Sequence, residues 1–286
     1  MSLNTRVWLV GKSSRLGSAL DSILSKHKYQ IISTDIEDVD ITDLGQVEHF
    51  IEQSRPGIVI NCAAKSDRLW CEENPEEAYK LHAIGTRNLA IATHASGGHL
   101  YYLSSDFVFE GNSVVPYTEF DRPNPQTVYG KSKLAGEEFV RNHCTNHTIL
   151  RSSWMYGKKL LKQILKEARD TGQVKVFQNI IGSPTSSLEI AEMIIKFIDE
   201  SEYGTFHISC EGEASQREFA SEILRIAGVE AQLVDSDSQG YFEVLRPRYS
   251  VLDNLMLRLT NKDSMPEWRS ALNRFMKERK VGVNAK

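Results

Sequence analysis

The sequence has few cysteines and lacks any long apolar run. Its four cysteines, Cys62, Cys71, Cys144 and Cys210, show none of the CxxC or Cys/His spacing that a metal site requires. Scattered cysteines of this kind are typical of reduced thiols, so we expect a cytoplasmic location and no bound metal. No apolar run approaches the roughly 18 residues that cross a bilayer, and the N-terminal segment has no signal-peptide pattern.

The sequence also lacks an excess of basic residues. Its 34 Lys and Arg against 38 Asp and Glu give a formal net charge of −4. This balance excludes a protein that binds nucleic acid by neutralising many phosphates. With 41% hydrophobic and 25% charged residues among 286, the chain is ordinary for a soluble protein of one large domain or two interlocked ones. Composition therefore predicts neither a nucleic-acid nor a membrane partner, and it leaves the function open.

Short apolar runs alternate with segments of helical periodicity over the first half of the chain. We predict strands at Arg6–Val10, Gln30–Thr34, Ile58–Cys62, His99–Ser104 and Thr148–Arg151. Helices are predicted between them at Leu16–Lys26, Leu44–Ser54, Pro75–Ser96 and Gly130–His143. Because strands and helices alternate, we expect an α/β fold built on a Rossmann-like, doubly wound parallel sheet.

The alternation weakens after Trp154. Further strands are predicted at Val174–Phe177 and Thr205–Ile208, and further helices at Lys158–Thr171, Leu188–Glu200, Ser215–Ala227 and Pro266–Lys277. We therefore expect residues 1–153 to form the Rossmann-like domain, with a strand and a helix added from about 186–210. Residues 154–286 are expected to form a smaller C-terminal α/β region interleaved with it.

The turn after the first predicted strand reads GKSSRLG and resembles a phosphate-binding turn that lacks one glycine. Gly11 permits the tight turn and Gly17 allows close packing of helix on strand, while Ser14 stands where the middle glycine is usual. The helix N-terminus offers free N–H groups and partial positive charge to a pyrophosphate. The Ser14 hydroxyl can bond a phosphate or cap the helix.

Residues beyond this turn support a dinucleotide site. Asp35 ends the second predicted strand, at about the spacing where an acid binds the adenosine ribose, and Asp40 and Ile41 follow where an adenine can rest. Lys12 and Arg15 can instead meet a 2′-phosphate, so NAD and NADP both stay open.

The stretch TVYGKSKLAGEE places Tyr129 and Lys133 four residues apart at the start of a predicted helix, and therefore on one face. An unperturbed tyrosine has a pKa of about 10, and a nearby ammonium brings that pKa toward the working range for proton transfer. Ser104 and Ser105 end the fourth predicted strand, where open α/β sheets bind ligands. Tyrosine, lysine and a strand-end hydroxyl together predict proton transfer to a substrate carbonyl.

Several longer motifs extend this pattern: INCAA (Ile60–Ala64), LSSDFVFEG (Leu103–Gly111), LRSSWMYG (Leu150–Gly157), GSPT (Gly182–Thr185) and RPRYSVLDN (Arg246–Asn254). With them the chain resembles, nearly end to end, the dTDP-4-dehydrorhamnose reductase family of extended short-chain dehydrogenase/reductases. The resemblance implies that Tyr129 protonates the carbonyl oxygen while NAD(P)H delivers hydride to the sugar C4. Lys133 is then expected to bind the nicotinamide ribose, and Ser105 to replace the catalytic threonine of relatives.

The same resemblance assigns NAD(P) binding to residues 1–153 and nucleotide-sugar binding mainly to residues 154–286. The residues expected at the cofactor are Gly11, Lys12, Ser13, Ser14, Arg15, Leu16, Gly17, Asp35, Asp40, Ile41, Cys62, Ala63, Ala64, Lys65, Ser104, Tyr129 and Lys133. Those expected at the substrate are Ser66, Arg68, Ser105, Asp106, Phe107, Trp154, Pro184, Thr185 and Arg246, the last as a diphosphate partner.

Besides Ser105, the chain departs from the family in three places. The predicted loop Lys65–Pro75 matches relatives in length but hardly in content, which predicts either a changed substrate or drift. Phe107 replaces a usual tyrosine, and a related dehydratase subgroup has glutamate there. His82 replaces a usual asparagine, and we expect it to be structural.

Three functions stay open. The first is the reduction of dTDP-4-dehydrorhamnose, and the second is reduction or epimerisation of another sugar nucleotide. The third is a regulatory subunit like that of methionine adenosyltransferase, which resembles these reductases and also retains the YxxxK pair. A homodimer is expected for the enzyme, and an isolated active homodimer would count against the regulatory subunit.

Overall fold

The structure, a computed structural model, describes residues 5–27, 29–236 and 246–282. Its longer strands are β1 (Arg6–Val10), β2 (Gln30–Thr34), β3 (Ile58–Asn61), β4 (His99–Ser105), β5 (His147–Ser152), β7 (Gln173–Val176), β10 (Gly204–His207) and β12 (Gln232–Asp235). Five further strands have two residues each: β6 (Met155–Tyr156), β8 (Ile181–Gly182), β9 (Thr185–Ser186), β11 (Ala214–Ser215) and β13 (Tyr249–Ser250).

The helices of the first half surround the longer strands. They are α1 (Arg15–Leu24), α2 (Leu44–Ser54), α3 (Arg68–Glu73), α4 (Pro75–Tyr79), α5 (Thr86–Ala95) and α6 (Val128–His143), with a π-helical segment at Lys80–Gly85 and a 3₁₀ turn at Asp106–Val108. The later helices are α7 (Lys158–Thr171), α8 (Ser187–Glu200), α9 (Gln216–Ala227), α10 (Leu255–Leu259) and α11 (Trp268–Glu278).

Six parallel strands make the central sheet, in the order β2-β1-β3-β4-β5-β10. The strand order reverses between β1 and β3, so the loops that follow these two strands border a crevice at the carboxyl edge of the sheet. Ligands of doubly wound folds bind in this position. The predicted Rossmann-like parallel sheet is therefore confirmed.

Side chains on the two faces of β1 belong to two different cores. Val7 and Leu9 face a core that includes α1, α8 and α11, whereas Trp8 and Val10 face a core that includes α2, α5 and α6. Alternate residues of a strand point to opposite faces, and all four side chains are buried. The sheet is therefore covered on both sides, as a parallel sheet requires.

The later part of the chain adds small sheets beside this unit. One has the order β11-β8-β13, and two others pair β12 with β7 and β6 with β9. Among the described residues, no helix combines the length and the apolar character needed to cross a membrane.

Several short elements of the later half were not predicted, and two segments of the first half differ from the sequence-based prediction. The helix predicted at Pro75–Ser96 is divided by its π-helical turns, and the loop predicted at Lys65–Pro75 contains α3. The side chain of Asp67 caps α3 by accepting from the Trp70 N–H at 3.2 Å. A six-residue helix has too little periodicity to be recognised in the sequence.

Candidate active site

The turn after β1 forms a cradle for a ligand and requires glycine at two positions. Gly11 has φ +80°, and a Cβ on Gly17 would lie 2.1 Å from the Gly11 carbonyl oxygen. Ser14 is the N-cap of α1, with its Oγ accepting from the Gly17 N–H at 3.0 Å. Of the two roles predicted for Ser14, the structure assigns the cap. The missing middle glycine is thus replaced by a residue that secures the helix start.

The loops after β1 and β3 approach each other across the crevice. A Cβ on Gly11 would lie 2.8 Å from the Ala63 nitrogen. The Asn61 side chain holds this second loop, because its Oδ1 accepts from the Ala63 N–H at 3.0 Å and its Nδ2 donates to Thr86 Oγ1 at 3.1 Å. The cradle, the helix start and the close second loop fit the pyrophosphate of a dinucleotide.

Acidic residues after β2 bind the turn itself. The Ser13 N–H donates to both carboxylate oxygens of Asp35 at 3.2 Å, and Lys12 pairs with Asp38 at 3.1 Å. The Asp40 carboxylate accepts from the backbone and the hydroxyl of Thr42. Asp35 and Lys12, both predicted at the cofactor, therefore lie beside the glycine turn, and Asp38 was not predicted from the sequence.

The N-terminus of α6 carries the tyrosine and the lysine. Thr127 Oγ1 accepts from the Gly130 N–H at 3.1 Å, and Glu72 of α3 accepts from the Val128 N–H at 2.7 Å. A Cβ on Gly130 would lie 2.1 Å from the Phe107 carbonyl oxygen, so the helix start packs directly on the turn after β4. These contacts fix the position of Tyr129.

Tyr129 is buried between two edge-on rings. Its ring centre is 5.5 Å from that of His82 and 5.4 Å from that of Phe107. Burial raises the pKa of Tyr129 to about 12, the Asp106 carboxylate acts in the same direction, and Ser105 and Arg68 oppose them. From the sequence, Lys133 is predicted to lower this pKa; in the structure burial has the largest effect, the lowering comes from Ser105 and Arg68, and the phenol stays protonated at neutral pH.

Lys133 is buried one helical turn from Tyr129. Its Nζ lies 4.2 Å from the centre of the Tyr102 ring, on β4. Burial lowers the pKa of Lys133 to about 7, while the charges of Glu137 and Cys62 raise it. Glu137 is itself bound by Arg151, with contacts of 2.8 and 2.7 Å. A further hydrogen-bond acceptor near Lys133 would therefore raise its pKa and favour the protonated amine.

The strand-end hydroxyl of Ser105 is close to a buried carboxyl group. Ser105 Oγ donates to Asp106 Oδ1 at 2.7 Å, and Ser153 Oγ donates to Asp106 Oδ2 at 3.0 Å. Burial raises the pKa of Asp106 despite these hydrogen bonds. Ser153 was not predicted, because only the fold brings it to this carboxylate.

Three arginines lie near one another, namely Arg68 and Arg246, predicted at the substrate, and Arg15, predicted at the cofactor. Arg68 Cζ lies 5.3 Å from the Phe107 ring centre, Arg246 Cζ lies 5.0 Å from that of Phe177, and Arg15 donates to the Met155 carbonyl. Desolvation lowers the pKa of Arg15 and Arg246, the latter to about 10, and the charge of Arg68 lowers both further.

None of these three arginines has a carboxylate at ion-pair distance within the described ranges. Unpaired guanidinium groups that are partly removed from water favour an anionic ligand.

The remaining predicted substrate residues differ in accessibility. Trp154 has φ 40° and its indole lies against Gly182, where a Cβ would be 2.3 Å from Nε1. Thr185 is buried, donates to the Ser183 carbonyl at 2.9 Å and accepts from the Cys210 N–H at 3.1 Å. The Thr185 hydroxyl is therefore engaged within the protein as both donor and acceptor, and it holds the segment that carries Pro184.

Other predicted residues fall into two groups. Ala64, Lys65 and Ser66 are exposed, whereas Leu16, Ile41, Cys62, Ser104 and Pro184 are buried. In the part of the chain that the structure describes, no group of three His, Cys, Asp or Glu residues is arranged to hold a metal ion.

Comparison with known proteins agrees with this geometry. Residues 5–281 match the family described as "RmlD substrate binding domain". The chain is 33% identical over 279 residues to the spore coat polysaccharide biosynthesis protein SpsK of Bacillus subtilis, covering 96% of this chain and 98% of that protein. It is 31% identical to a dTDP-4-dehydrorhamnose reductase of Mycobacterium tuberculosis, covering 93% of this chain and 91% of that one.

A solved structure extends the likeness to three dimensions. The dTDP-4-dehydrorhamnose reductase of Bacillus anthracis, in complex with NADP, is 36% identical, with a TM-score of 0.92 over 96% of this chain and 99% of that chain. The family match spans nearly all of the chain and includes both the glycine turn and the tyrosine–lysine helix. The chain belongs to the RmlD substrate binding domain family.

Proposed function

We propose that the protein uses NAD(P)H to reduce the C4 ketone of a nucleotide-linked 6-deoxy-4-ketosugar, with dTDP-4-dehydrorhamnose and dTDP-rhamnose as the preferred substrate and product. The observation that carries this proposal is the grouping of Ser105, Tyr129 and Lys133 beside a dinucleotide cradle. Relatives that match nearly the whole chain are named as dTDP-4-dehydrorhamnose reductases.

Each residue of this group has a distinct task. When bound, the reduced nicotinamide supplies the hydride that adds to C4. Tyr129, protonated at neutral pH, donates its proton to the carbonyl oxygen as negative charge develops there. Ser105 orients that oxygen, and Lys133 binds the nicotinamide ribose and favours the tyrosinate left after proton transfer.

The cofactor lies, in this proposal, across the carboxyl edge of the sheet. The N–H groups at the start of α1 bind its pyrophosphate, with Gly11 and Gly17 allowing the close approach. Asp35 and Lys12 are the residues that select between NAD and NADP. The relative from Bacillus anthracis binds NADP, and parallel titrations with NADPH and NADH test the same preference here.

The substrate lies on the other side of Tyr129. Arg246 binds the diphosphate, Trp154 and Phe107 contact the sugar or base, and Asp106 and Ser66 offer polar contacts. The uncompensated charge of the arginines supports an anionic nucleotide sugar. Arg68 also favours a second candidate, reduction or epimerisation of a different sugar nucleotide, because it puts a cation beside Phe107.

We further propose that residues 1–153, with elements from about 186–210, bind the cofactor, and that residues 154–286 mainly bind the substrate. The pairing of β10 with β5 supports such an interleaved arrangement. A cytoplasmic location and a homodimer are part of the same proposal. Fractionation and light scattering test them.

The decisive experiment follows NADPH oxidation by the purified protein with a panel of dTDP-, UDP- and GDP-linked 4-ketosugars. We expect turnover with dTDP-4-dehydrorhamnose, and a loss of about 10²-fold or more in kcat for Tyr129→Phe, with NADPH affinity retained. Folded protein that binds NADPH but reduces none of the panel would contradict the proposal. Recovery of a stoichiometric methionine adenosyltransferase partner in that case would favour a regulatory subunit.

A further inference from the structure

A chain of hydrogen bonds joins the loop after β3 to the first turn of α6. The Lys65 N–H donates to His82 Nε2 at 3.0 Å, His82 Nδ1 lies 2.8 Å from Ser132 Oγ, and Ser132 Oγ donates to the Tyr129 carbonyl oxygen at 2.9 Å. His82 and Ser132 are fully buried. The chain therefore crosses the protein interior immediately behind Tyr129.

The donors and acceptors along this chain fix one protonation state of His82. A backbone N–H can only donate, so Nε2 accepts and the proton of the neutral ring is on Nδ1. Nδ1–H then donates to Ser132 Oγ, whose own proton is directed at the Tyr129 carbonyl. Burial, and next the charge of Lys133, lower the pKa of His82 to about 3, so the ring stays neutral at working pH.

Both ends of this series of hydrogen bonds carry residues of the proposed reaction. Lys65 begins the segment that continues through Ser66 to Arg68, and its carbonyl oxygen also accepts from the Cys71 thiol at 3.5 Å. The other end is the Tyr129 carbonyl oxygen, and the His82 ring also meets the Tyr129 ring edge-on. His82 itself lies in the π-helical turns Lys80–Gly85, an irregularity that is frequent at functional sites.

We infer that His82 is a positioning residue that sets the place of Tyr129 relative to the loop Lys65–Arg68 through Ser132. This inference rests on the proposed function, because Tyr129 is the proton donor there. An asparagine reaches only one of the two partners, since its side chain ends near the position of Nδ1. The histidine therefore couples the loop to the helix in a way that a shorter side chain does not.

The variant His82→Phe tests the inference, because it keeps a ring against Tyr129 and removes both hydrogen bonds. We expect kcat to fall about 10- to 100-fold, as misplacement of a catalytic group does, with NADPH affinity unchanged. The solvent deuterium isotope effect on kcat is expected to rise as proton transfer from Tyr129 becomes slower. His82→Asn, which keeps the bond toward Ser132, restores part of kcat.

The matched control is His94→Phe, since His94 is exposed at the end of α5. Ser132→Ala is the second variant should His82→Phe fail to fold, and a smaller fall in kcat with the same rise in isotope effect is expected. A purely structural histidine would change the thermal midpoint and the fraction of protein that binds NADPH, but neither kcat per binding site nor the isotope effect. Wild-type values of both in folded His82→Phe, or in Ser132→Ala if His82→Phe does not fold, would overturn the inference.

Two measurements on the free protein separate this inference from the proposed function. The ring ¹⁵N shifts of His82 are expected to show a protonated Nδ1 and a bare Nε2. Hydrogen exchange at the Lys65 amide is expected to accelerate in His82→Phe and not in His94→Phe. If the wild type reduces no sugar nucleotide, the proposed function fails while these readouts still decide the linkage; a protonated Nε2 would overturn the linkage alone.

Discussion

At the scale of single residues, burial determines how the reacting groups are protonated. It raises the pKa of Tyr129 and lowers that of Lys133, so the two groups are less charged in the free protein than in water. A ligand phosphate or ribose near Lys133 would favour the ammonium form and, through it, the tyrosinate. Before substrate and cofactor bind, Tyr129 is therefore neutral and Lys133 is only partly protonated.

The Arg68 guanidinium lies against the Phe107 ring. It has no carboxylate partner among the described residues. We expect Arg68→Gln to raise KM for the sugar nucleotide about 10-fold or more, because one charged hydrogen bond contributes roughly 1.5–3 kcal/mol. NADPH affinity is expected to stay unchanged, and Arg68→Lys to fall between. Steady-state kinetics measure these values, and Arg169→Gln, at an exposed position of α7, is the control variant. Equal KM values for Arg68→Gln and wild type would place Arg68 outside the substrate site.

Three buried histidines make stability depend on pH. Burial lowers the pKa of His82 and His207 to about 3 and that of His99 to about 4, against 6.5 in an exposed chain. Between pH 7 and 5 the unfolded chain therefore takes up protons that the native protein does not bind. The free energy of unfolding is largest above pH 6.5 and falls as the pH decreases.

Urea unfolding at pH 7 and pH 5 checks this expectation. We expect a loss of about 1–2 kcal/mol for each histidine over this interval, and a smaller loss in His99→Gln, which keeps a donor toward Thr148. The exposed His94→Gln serves as control. A free energy of unfolding that does not change between the two pH values would contradict the neutral state of these histidines.

At the scale of elements, the sequence predicts best those helices and strands whose ends are fixed by neighbouring residues. The predictions of α2 and α7 are confirmed at both ends, since Asp43 caps the first and Gly172 ends the second in a left-handed conformation. The strands β8, β11 and β13 were missed because each has two residues whose pairing depends on distant segments. Short elements of this kind have no period of their own to read.

The same distinction holds in the candidate site. Tyr129, Lys133 and the glycine turn could be predicted because their spacing along the chain carries the chemistry. Asn61, Glu72 and Ser153 were missed, since each has a hydrogen-bond partner that folding brings near, which for Asn61 is Thr86. Such residues have no sequence signal beyond a polar side chain beside an apolar run.

The contact between α6 and the turn after β4 leads to a third prediction. Gly130→Ala would bring a Cβ to 2.1 Å from the Phe107 carbonyl oxygen, so the helix start has to move and take Tyr129 with it. We expect a loss of about 1–3 kcal/mol in stability, typical of overpacking, together with a lower kcat. Thermal unfolding and kinetics measure both.

Gly45→Ala, in α2, is the matched control for Gly130→Ala. A Cβ there meets only the Asp43 carboxylate, at 3.3 Å, and that side chain can shift. We expect a change within about 1 kcal/mol, the difference between glycine and alanine in a helix. If the two variants were equally stable and active, the close contact at Gly130 would not matter.

At the scale of the whole molecule, the two halves share one core. Leu16 and Leu20 of α1, Ile194 of α8 and Leu272 and Phe275 of α11 belong to the same cluster of buried side chains. The outer strand β10, one of the elements from about 186–210 that were predicted to join residues 1–153, also pairs with β5. Residues 1–153 and residues 154–286 are therefore not independent folding units.

We accordingly expect a single unfolding transition. Tryptophan fluorescence, which reports on Trp8 in one half and Trp268 in the other, should coincide with circular dichroism in a urea titration. A fragment of residues 1–153 lacks α8 and β10, and is expected neither to fold cooperatively nor to bind NADPH. Two separated transitions, or a folded NADPH-binding fragment, would show that the halves are independent.

The late position of β10 in the chain matters during synthesis. A ribosome releases β5 well before it releases α8 and β10, so the apolar side of α1 and the outer edge of β5 stay uncovered in the meantime. An uncovered strand edge pairs readily with other chains. Chaperones that bind apolar segments have their longest access in this interval. We therefore expect the yield of this protein in a cell to depend on the speed of translation between β5 and β10 as well as on the stability of the finished fold.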